Sequence, residues 1–419
     1  MRRGSRVVNW LRYLLELPAA AAAYTAGKFK AFQYSRELLQ HAAPPVLSVG
    51  AGYRLLEGLK QAERKNRIGT PRDWQPEERE LLNHIIGETR RHNRNNVTRT
   101  EAYRTVYFHS PELHWSLLAH LVSRNGGWNM TDLKGEWLPR LLKEPQRKEL
   151  FHFLERCNAL IFGDAYPQLL LYQWSRREGR SLFHLLPGLG VSSFMGPVWS
   201  QFLREGDSAL LSVALIINEQ HFIEGRVVQN PAYKPAVHSL ITELQSILQL
   251  NGVVFPYGVG TSDGKSGSGL QLAGLIIEKF RDISERIEFG KRLYAMLFGI
   301  PAVLHGARCF AAAVRHTGSR ADYAPSLFQK NMPPRIPPVE KLAGGKLKKD
   351  APLLYSPELR DAWDDVELKP PEPGDWFHSG ETLAAYFDSL PMPSHFEMSN
   401  EYGMILDKLE LAALTKGSV

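Results

Sequence analysis

The sequence predicts an all-α protein: an irregular multi-helix domain followed by a Pro-rich, extended C-terminal segment. Apolar residues recur at three- and four-residue spacing along most of the 419 residues, and this is the spacing of one helix face. Proline stands where a first helical turn begins in Trp74-Gln-Pro-Glu-Glu and in Ser110-Pro-Glu-Leu, with acids following. The alternation typical of strands is confined to Gly252-Val-Val-Phe-Pro. We therefore expect helices packed on helices.

The predicted helices follow from this spacing. Asn251-Gly252 is typical of a helix end, because glycine readily adopts the left-handed conformation that follows a helix. In chain order, the stretches with helical spacing are Tyr34–Leu39, Leu55–Leu59, Leu81–Ile86, Leu113–Val122, Leu150–Leu160, Leu210–Phe222, Val237–Leu250, Leu270–Ile287 and Leu293–Val314.

Residues 1–74 are expected to form a basic N-terminal helical extension. Apolar residues in the stretch 11–19 suit an amphipathic helix that ends or kinks at Pro18. Arg12 and Glu16 interrupt this run, which is therefore shorter than the about 20 apolar residues of a membrane-spanning helix. A helix docked on the protein is the leading interpretation. A membrane-surface helix and an export signal remain the alternatives.

Composition places the chain among ordinary globular proteins, with 43% hydrophobic and 23% charged residues. Its two cysteines, Cys157 and Cys309, are too few for a disulfide scaffold, which favours a reducing, cytoplasmic location. The net charge of +7 combines a basic N-terminal region with an acidic stretch over residues 340–419. The basic region leaves contact with nucleic acid or an anionic membrane open. However, no nucleic-acid-binding module is recognisable, and a solvated surface explains the charge more simply.

Residues 75–320 are expected to form the main helical domain, and the stretch His92–Trp137 is its most informative part. Asn, Thr, Arg, His, Ser and Trp are concentrated there. Such side chains compete with the backbone for hydrogen bonds and are costly to bury without partners. The stretch therefore indicates either a structured polar network or a site.

Local signals within this stretch predict two helices. Thr98 is the predicted N-cap of the first helix, with Glu101 as its capping-box partner. The second helix is predicted after Ser110-Pro111 and is expected to end at Asn125-Gly126-Gly127. Residues 128–132 would then form a tight polar turn.

Two hypotheses explain the polar stretch. In the structural hypothesis, its side chains form a buried, mutually satisfied network that locks two helices together. In the functional hypothesis, the forked guanidinium groups of Arg99 and Arg124 hold an anion. His114 or His120 would then be the titratable group, oriented by Asp132. The predicted ligand-binding residues of the stretch are Asn96, Thr98, Arg99, Arg124, Asn125, Trp128, Asn129 and Asp132.

A second polar cluster interrupts an apolar helix and adds Asn218 and Arg226 to the predicted ligand-binding residues. Glu219 lies between them, seven residues before Arg226, so the two side chains share a helix face and could pair. A carboxylate beside an apolar run is costly unless it has a partner. Glu219 is therefore either a member of the polar network or an acid with a raised pKa.

Other catalytic and cofactor signals are weak, and no cofactor is predicted. His114 and His120 are six residues apart, which does not suit a metal-binding pair on one helix, and no metal site is expected. The loop 258–269 resembles a phosphate-binding loop in composition only, because Val259 stands where the motif requires glycine. No GxSxG nucleophile motif occurs.

Residues 321–419 are expected to form a Pro-rich linker and an acidic tail with short helices. Pairs of consecutive prolines recur between Pro325 and Pro373, and proline fixes φ and lacks a backbone donor, which favours extended structure. A linker or a segment wrapping the protein is favoured over a ligand for an SH3-type module. Leu383–Leu390 and Tyr402–Leu414 are the predicted short helices.

Three segments carry a resemblance to a known family: NRNNVTRTEAY, HSPELHWSLLAHLVSRNGGWNMTDLKG and the later IINEQ. In these segments the chain resembles the YppC-like family of Bacillus and Paenibacillus relatives, a domain of unknown function. The resemblance covers residues 75–320. It implies a bacterial, intracellular protein from a spore-forming lineage, and it supplies no activity, cofactor or catalytic residue.

The leading functional hypothesis is a cytosolic bacterial protein that binds a small anionic ligand in a polar pocket between helices. The second hypothesis is an enzyme that uses His114 or His120 with Glu219 as acid and base. The third is a structural or nucleic-acid-associated protein in which the polar stretch only locks helices. Sequence alone predicts neither the ligand nor the oligomeric state.

Overall fold

The computed structural model describes residues 25–48, 50–66, 74–236, 251–258, 270–333 and 339–416. Within these residues the protein is mostly helical with a few short strands, so the predicted all-α class is confirmed. Three of the predicted features lie outside the described residues: the amphipathic stretch before Pro18, the helix Val237–Leu250 and nearly all of the loop 258–269.

The helices occur along the whole described chain. In order they are α1 (residues 25–39), α2 (Ala51–Asn66), α3 (Pro76–His92), α4 (Asn96–His109), α5 (His114–Asp132), α6 (Leu138–Leu141), α7 (Glu144–Glu178), α8 (Met195–Glu205), α9 (Ser208–Ile223), α10 (Ile283–Gly299), α11 (Pro301–Ala313), α12 (Leu359–Ala362) and α13 (Ser399–Lys416). Short 3-10 segments lie at Phe183–Leu189, Pro231–Tyr233, Arg320–Asp322 and Glu381–Phe387, and a π-helical turn at Glu224–Val228 extends α9.

α9 forms the centre of the helical core. Every residue from 209 to 218 is buried, and a helix that is apolar on nearly all sides must be enclosed by others. It packs against α5, α7, α8 and α10, and α4 packs along both α5 and α7. The polar stretch identified in the sequence, which forms α4 and α5, is therefore part of the core.

The described strands form three two-stranded pairs. They are β1 (Gly252–Pro256), β2 (Leu272–Ile276), β3 (Phe328–Gln329), β4 (Leu342–Ala343), β5 (Lys346–Leu347) and β6 (Leu354–Tyr355). β1 pairs antiparallel with β2, with Val254 opposite Gly274. β3 and β6 are parallel, and β4 and β5 form a hairpin. β1 is the strand that the sequence predicts.

The prediction that the second helix of the polar stretch ends at Gly126-Gly127 is wrong, because α5 continues to Asp132. These glycines permit close approach between elements instead of ending the helix. A Cβ atom on Gly127 would lie 2.3 Å from Oδ1 of Asn96 and 2.6 Å from Nε2 of His316. Glycine in a helix interior costs about 1 kcal/mol relative to alanine, and here it creates the space for two buried polar side chains.

The predicted cap of the first helix is also wrong by a few residues. Asn95, not Thr98, is the N-cap of α4, and its side chain accepts a hydrogen bond from the Thr98 backbone N–H at 3.0 Å. The Thr98 hydroxyl accepts in return from the Asn95 backbone N–H at 3.2 Å. Glu101 pairs instead with Arg104 at 2.7 Å. A capping box is therefore present, built from an Asn–Thr pair in place of the expected Thr–Glu pair.

The helix predicted over Leu270–Ile287 is wrong in its first half, where the chain forms β2. Short apolar runs fit a strand and a helix equally well, so periodicity alone cannot separate the two. A Cβ atom on Gly274 would lie 2.3 Å from the Val253 carbonyl oxygen, so glycine lets the two strands approach closely. Asp282 then caps α10 by accepting from the backbone N–H of Ser284 at 2.9 Å.

The Pro-rich C-terminal segment wraps the helical core. The Arg226 guanidinium donates to the backbone carbonyls of Glu372 and Gly374. The Trp363 indole donates to the Met130 carbonyl at 2.8 Å. Backbone carbonyls of an extended segment lack partners within the segment itself, and side chains of the core supply them here.

The acidic end of the chain forms the two short helices that the sequence predicts. Glu381–Phe387 is the first of them, in 3-10 geometry, and α13 is the second. The three-part division at residues 74 and 320 stays a prediction. The buried hydrophobic core is shared by residues from Ala51 to Ala413.

Among the described residues, no single helix has both the length and the apolar content needed to span a membrane. α10 and α11 together reach the required length and apolar content, but they bend by 92° at their junction.

Candidate functional site

A cavity of about 250 Å³ lies between α5, α7, α9 and α10, and β1 closes one end of it. We call it the central cavity. Its walls are mainly apolar, because each of these helices directs part of its core face into the same space. The apolar lining includes Leu118, Ala119, Val122, Phe153, Leu154, Ile161, Ile216, Ile223, Phe280, Phe289 and Leu293. Cavities with such a lining, apolar with a few polar groups, commonly accommodate small molecules in proteins.

Glu219 is the acidic residue of the central cavity. It is partly buried on α9, and Gln220 and Trp115 donate hydrogen bonds to its carboxyl group. Burial, with a smaller contribution from the neighbouring Asp164 carboxyl, raises the pKa of Glu219 to about 8. The sequence-based hypothesis of an acid with a raised pKa therefore fits this position. The predicted pair with Arg226 is absent, because Arg226 binds the carbonyls of the C-terminal segment.

Two further polar atoms at the central cavity lack hydrogen-bond partners among the described residues. One is the Tyr103 hydroxyl, on a side chain that is only 4% exposed. The other is Oδ1 of Asn251, whose amide nitrogen donates to the Ile277 carbonyl at 2.7 Å. Buried polar groups are nearly always paired in proteins, so unpaired groups at a cavity indicate a missing partner.

Arg286 lines the central cavity, but its donors are engaged. They bind the Gln220 side chain at 2.9 Å, the Phe280 carbonyl at 2.8 Å and the Glu224 carboxylate. Cys157 also lines the cavity, and burial raises the pKa of its thiol to about 12. A thiol with such a pKa is a poor nucleophile near neutral pH.

Of the predicted site residues, Asn125, Asn129 and Glu219 line the central cavity. Asn125 is also a structural residue, because its amide pairs with β1 as another strand would. Its Nδ2 donates to the Val254 carbonyl at 2.8 Å, and its Oδ1 accepts from the Val254 N–H at 2.9 Å. The remaining predicted residues lie in networks outside this cavity.

Arg99 and Asn96 hold α4 against its neighbours. Arg99 forms an ion pair with Glu155 of α7 at 2.5 Å, and both side chains are at most 4% exposed. Asn96 is fully buried and donates to the Ser123 carbonyl at 2.8 Å. The hydrogen bond to Ser123 identifies the Nδ2 atom of the Asn96 amide. The other amide atom, Oδ1, therefore accepts a hydrogen bond from Nε2 of His316 at 2.9 Å. Both residues thus serve helix packing.

Arg124 and His120 form a buried pair on α5. Nδ1 of His120 donates to the Thr100 carbonyl at 2.8 Å, which leaves Nε2 to accept from Nε of Arg124 at 3.0 Å. Desolvation, followed by the nearby arginine, lowers the pKa of His120 well below its usual value. Arg124 also donates to the Val314 carbonyl and lies 4.5 Å from the Phe310 ring. Neither side chain lines the central cavity.

His114 also lies apart from the central cavity. Its Nδ1 lies 3.0 Å from the Tyr294 hydroxyl, and its ring stacks on Phe298 at 4.0 Å. Burial lowers the pKa of His114 to about 4, so the imidazole is neutral at physiological pH.

Asp132 does not orient either histidine. It binds the Arg320 guanidinium through both carboxylate oxygens, at 2.8 and 2.9 Å from Nε. This pair lines a second, smaller cavity of about 60 Å³, which α13 covers with Tyr402. Trp128 is buried beside Tyr323, with ring centroids 4.4 Å apart.

Asn218 and Thr98 complete the predicted set, and both have structural partners. Asn218 donates to Asp164 and accepts from the Trp376 indole at 3.0 Å, which links α7 to the C-terminal segment. The Thr98 hydroxyl donates to the His92 carbonyl at 2.7 Å. Within the described residues, no group of three or more His, Cys, Asp or Glu side chains could hold a metal ion.

Sequence reasoning missed Tyr103, Asn251 and Arg286 at the central cavity and His316 in the network. Tyr103 lies inside the polar stretch that the sequence singles out, so its position was available as a signal. Arg286 was visible as a charge on an apolar helix. His316 has no local signal, since its role depends on Asn96, 220 residues away.

The raised pKa of Glu219 predicts a specific dependence of stability on pH. The folded chain keeps a proton on Glu219 up to about pH 8, whereas the unfolded chain releases it near pH 4.5. The free energy of unfolding should therefore fall as pH rises through this window. Urea denaturation at several values between pH 5 and 9 should show this fall, and Glu219→Gln should make it shallower. The matched variant Glu80→Gln, at an exposed position of α3, should leave the wild-type slope unchanged. Parallel curves for Glu219→Gln and the wild type would contradict the assignment.

Comparison with known proteins identifies sequence relatives. A family model described as "Protein of unknown function (DUF2515)" matches residues 91–404. The chain is also 39% identical over 327 residues to "Uncharacterized protein YppC" of Bacillus subtilis (strain 168). The aligned region covers 77% of this chain and 91% of the relative. No solved structure gives a significant match. The residues that form the central cavity within α5, α7, α9 and α10 all fall inside the matched region.

Proposed function

The chain belongs to the DUF2515 family, whose function is unknown, and we propose that it binds a small, mainly apolar molecule in the central cavity. The observation that carries this proposal is an apolar space of about 250 Å³ at which the Tyr103 hydroxyl and Oδ1 of Asn251 have no partners in the described residues. Apolar walls with a few polar groups are the usual composition of small-molecule sites.

The hypothesis of an anionic ligand has less support than this proposal. It depends on Arg99 and Arg124, and both are engaged in buried networks away from the central cavity. Arg286, the arginine that lines the cavity, is neutralised by Glu224. An anion would therefore have to compete with an existing ion pair for its cation.

An enzymatic role for Glu219 has partial support. Its pKa near 8 suits an acid that donates a proton near neutral pH. However, His114 and His120 do not line the cavity, so the proposed histidine partner is absent from this site. Binding is thus the better supported activity. A cytoplasmic, bacterial protein remains our proposal for its location and source, supported by the Bacillus relative.

A cavity-filling variant tests the proposal. Ala119 lines the central cavity on α5, and Ala119→Trp should occupy this space without breaking a hydrogen bond. We expect a thermal-shift screen of apolar small molecules to give hits with the wild type that Ala119→Trp abolishes. A ligand at a hundred times its dissociation constant contributes about 2.7 kcal/mol, which is readily detected.

The matched control is Ala312→Trp, which makes the same change at an exposed position of α11. It should keep every hit. Hits that persist in Ala119→Trp would place binding elsewhere and would overturn the proposal, as would a screen without hits.

A further inference from the structure

We propose that the ligand of the central cavity carries an amine, and that its ammonium group binds the carboxylate of Glu219 beside the Tyr103 hydroxyl. This inference rests on the proposed function and specifies the chemical class of the ligand. The ligand would carry a cationic polar group on an apolar body, in contrast to the anion that the sequence suggests.

The polar groups that the central cavity offers to a ligand are mainly hydrogen-bond acceptors. Glu219 presents a carboxyl group, and Asn251 presents a carbonyl oxygen that has no donor among the described residues. The Tyr103 hydroxyl, also without a partner in this part of the chain, can accept as well as donate. Tyr103 and Glu219 both line the cavity, and Trp115, which donates to the Glu219 carboxyl, has its ring centroid 5.4 Å from that of Tyr103. A ligand that satisfies acceptors must bring donors, and an ammonium group brings three.

The protein's own cations do not compensate Glu219 in the described structure. Arg286 is committed to Glu224, to the Gln220 side chain and to a backbone carbonyl. Arg226, seven residues after Glu219, donates to the C-terminal segment and to the Phe222 carbonyl. The groups that donate to the Glu219 carboxyl are the neutral side chains of Gln220 and Trp115.

The local charge also favours a cationic ligand. Asp164 is a second buried carboxyl near Glu219, and burial raises its pKa to about 7. A carboxylate or phosphate placed in the cavity would lie beside the Glu219 carboxyl, and within the described residues the cavity-lining Arg286 is already bound to Glu224. An ammonium group would stabilise the ionised form of Glu219 and form a charge-assisted hydrogen bond in a water-poor site.

Three probes with the same apolar body test the inference: 4-phenylbutylamine, 4-phenylbutan-1-ol and 4-phenylbutanoate. Isothermal titration calorimetry with the full chain at pH 9, where Glu219 is ionised and the amine keeps its proton, should give the tightest binding for the amine. A hydrogen bond to a charged group contributes about 1.5–3 kcal/mol, so the amine should bind about ten- to a hundredfold more tightly than the alcohol. The carboxylate should bind most weakly.

Glu219→Gln should remove the preference for the amine and retain the affinity for the alcohol, because glutamine keeps the shape of the side chain without its charge. Tyr103→Phe should weaken the binding of the amine, and of the three probes only that, since the variant loses only the hydroxyl group that lies beside the ammonium. Glu80→Gln on the exposed face of α3 should change no affinity and serves as the charge control.

The outcomes separate the two proposals. If the amine and the alcohol bind equally well and Ala119→Trp abolishes the binding of both, the proposal of an amine ligand is contradicted and the proposed apolar site is supported. If the carboxylate binds most tightly, the proposal of an amine ligand is contradicted and an anionic ligand is favoured. Absence of binding by all three probes would overturn the inference together with the proposed function.

Discussion

Replacing Arg99 with methionine is expected to lower the free energy of unfolding by about 3–5 kcal/mol. Arg99 and Glu155 form an ion pair in which the two side chains are 1% and 4% exposed. Methionine fills most of the space of the arginine but leaves the Glu155 carboxylate buried without a cation. Removing one partner of a buried pair costs far more than the pair contributes, because the remaining charge is uncompensated. Urea denaturation monitored by circular dichroism measures the loss.

The double variant Arg99→Met/Glu155→Leu is expected to recover most of this loss, because no buried charge remains. Replacement of a buried ion pair by apolar residues of similar volume is often neutral. The recovery will be incomplete, because Arg99 also donates to the Asn93 side chain at 3.1 Å. A double variant that is less stable than Arg99→Met would contradict this account of the pair.

Sequence reasoning singled out the polar region but left the roles of its residues open. The concentration of polar side chains around Asn96 and Arg124 is a local property, so the alternatives of network and site could be stated from the sequence. Choosing between them requires the partners. Those partners lie far along the chain: Glu155 for Arg99, Val314 for Arg124 and Arg320 for Asp132. Long-range pairing of this kind leaves no local pattern.

The two glycines of α5 show why a local rule failed. Asn125-Gly126-Gly127 has the composition of a helix end, and the rule treats glycine as a residue that ends helices. In the folded protein, the absence of a Cβ atom at Gly127 allows Asn96 and His316 to meet beside the helix. The same residue type serves backbone freedom in one context and close packing in another.

The central cavity could be predicted only in part, because a cavity is a property of packing between helices. Glu219 was identifiable, since an acid within an apolar helix is conspicuous in the sequence alone. Tyr103 and Arg286 reach the same space from α4 and α10. These two helices lie far apart in the sequence, with α5, α7 and α9 between them. The Tyr103 hydroxyl, which has no hydrogen-bond partner among the described residues, becomes visible as a signal only when every neighbouring side chain is placed.

Replacing Arg124 with alanine is expected to lower the free energy of unfolding by about 3–5 kcal/mol while leaving ligand binding in the central cavity intact. The Arg124 side chain is fully buried, so alanine would leave an empty space. It would also leave Nε2 of His120 and the Val314 carbonyl without their donor. Chemical denaturation measures the stability, and calorimetry with a central-cavity ligand at low temperature measures the binding.

Two comparison variants separate burial from charge. Arg104→Ala removes an arginine whose side chain is 32% exposed and paired with Glu101, and it should cost about 1 kcal/mol or less. Arg124→Met keeps the volume, and it should be less destabilising than Arg124→Ala because the ring of Phe310 retains a packing partner. Burial of Arg124 itself is unfavourable, since desolvation lowers its pKa to about 10, so methionine also removes a costly charge.

If Arg124 were instead the anion-binding residue that the sequence suggests, Arg124→Ala would leave stability nearly unchanged and abolish binding. Loss of stability with binding retained therefore distinguishes the helix-locking network from a ligand site.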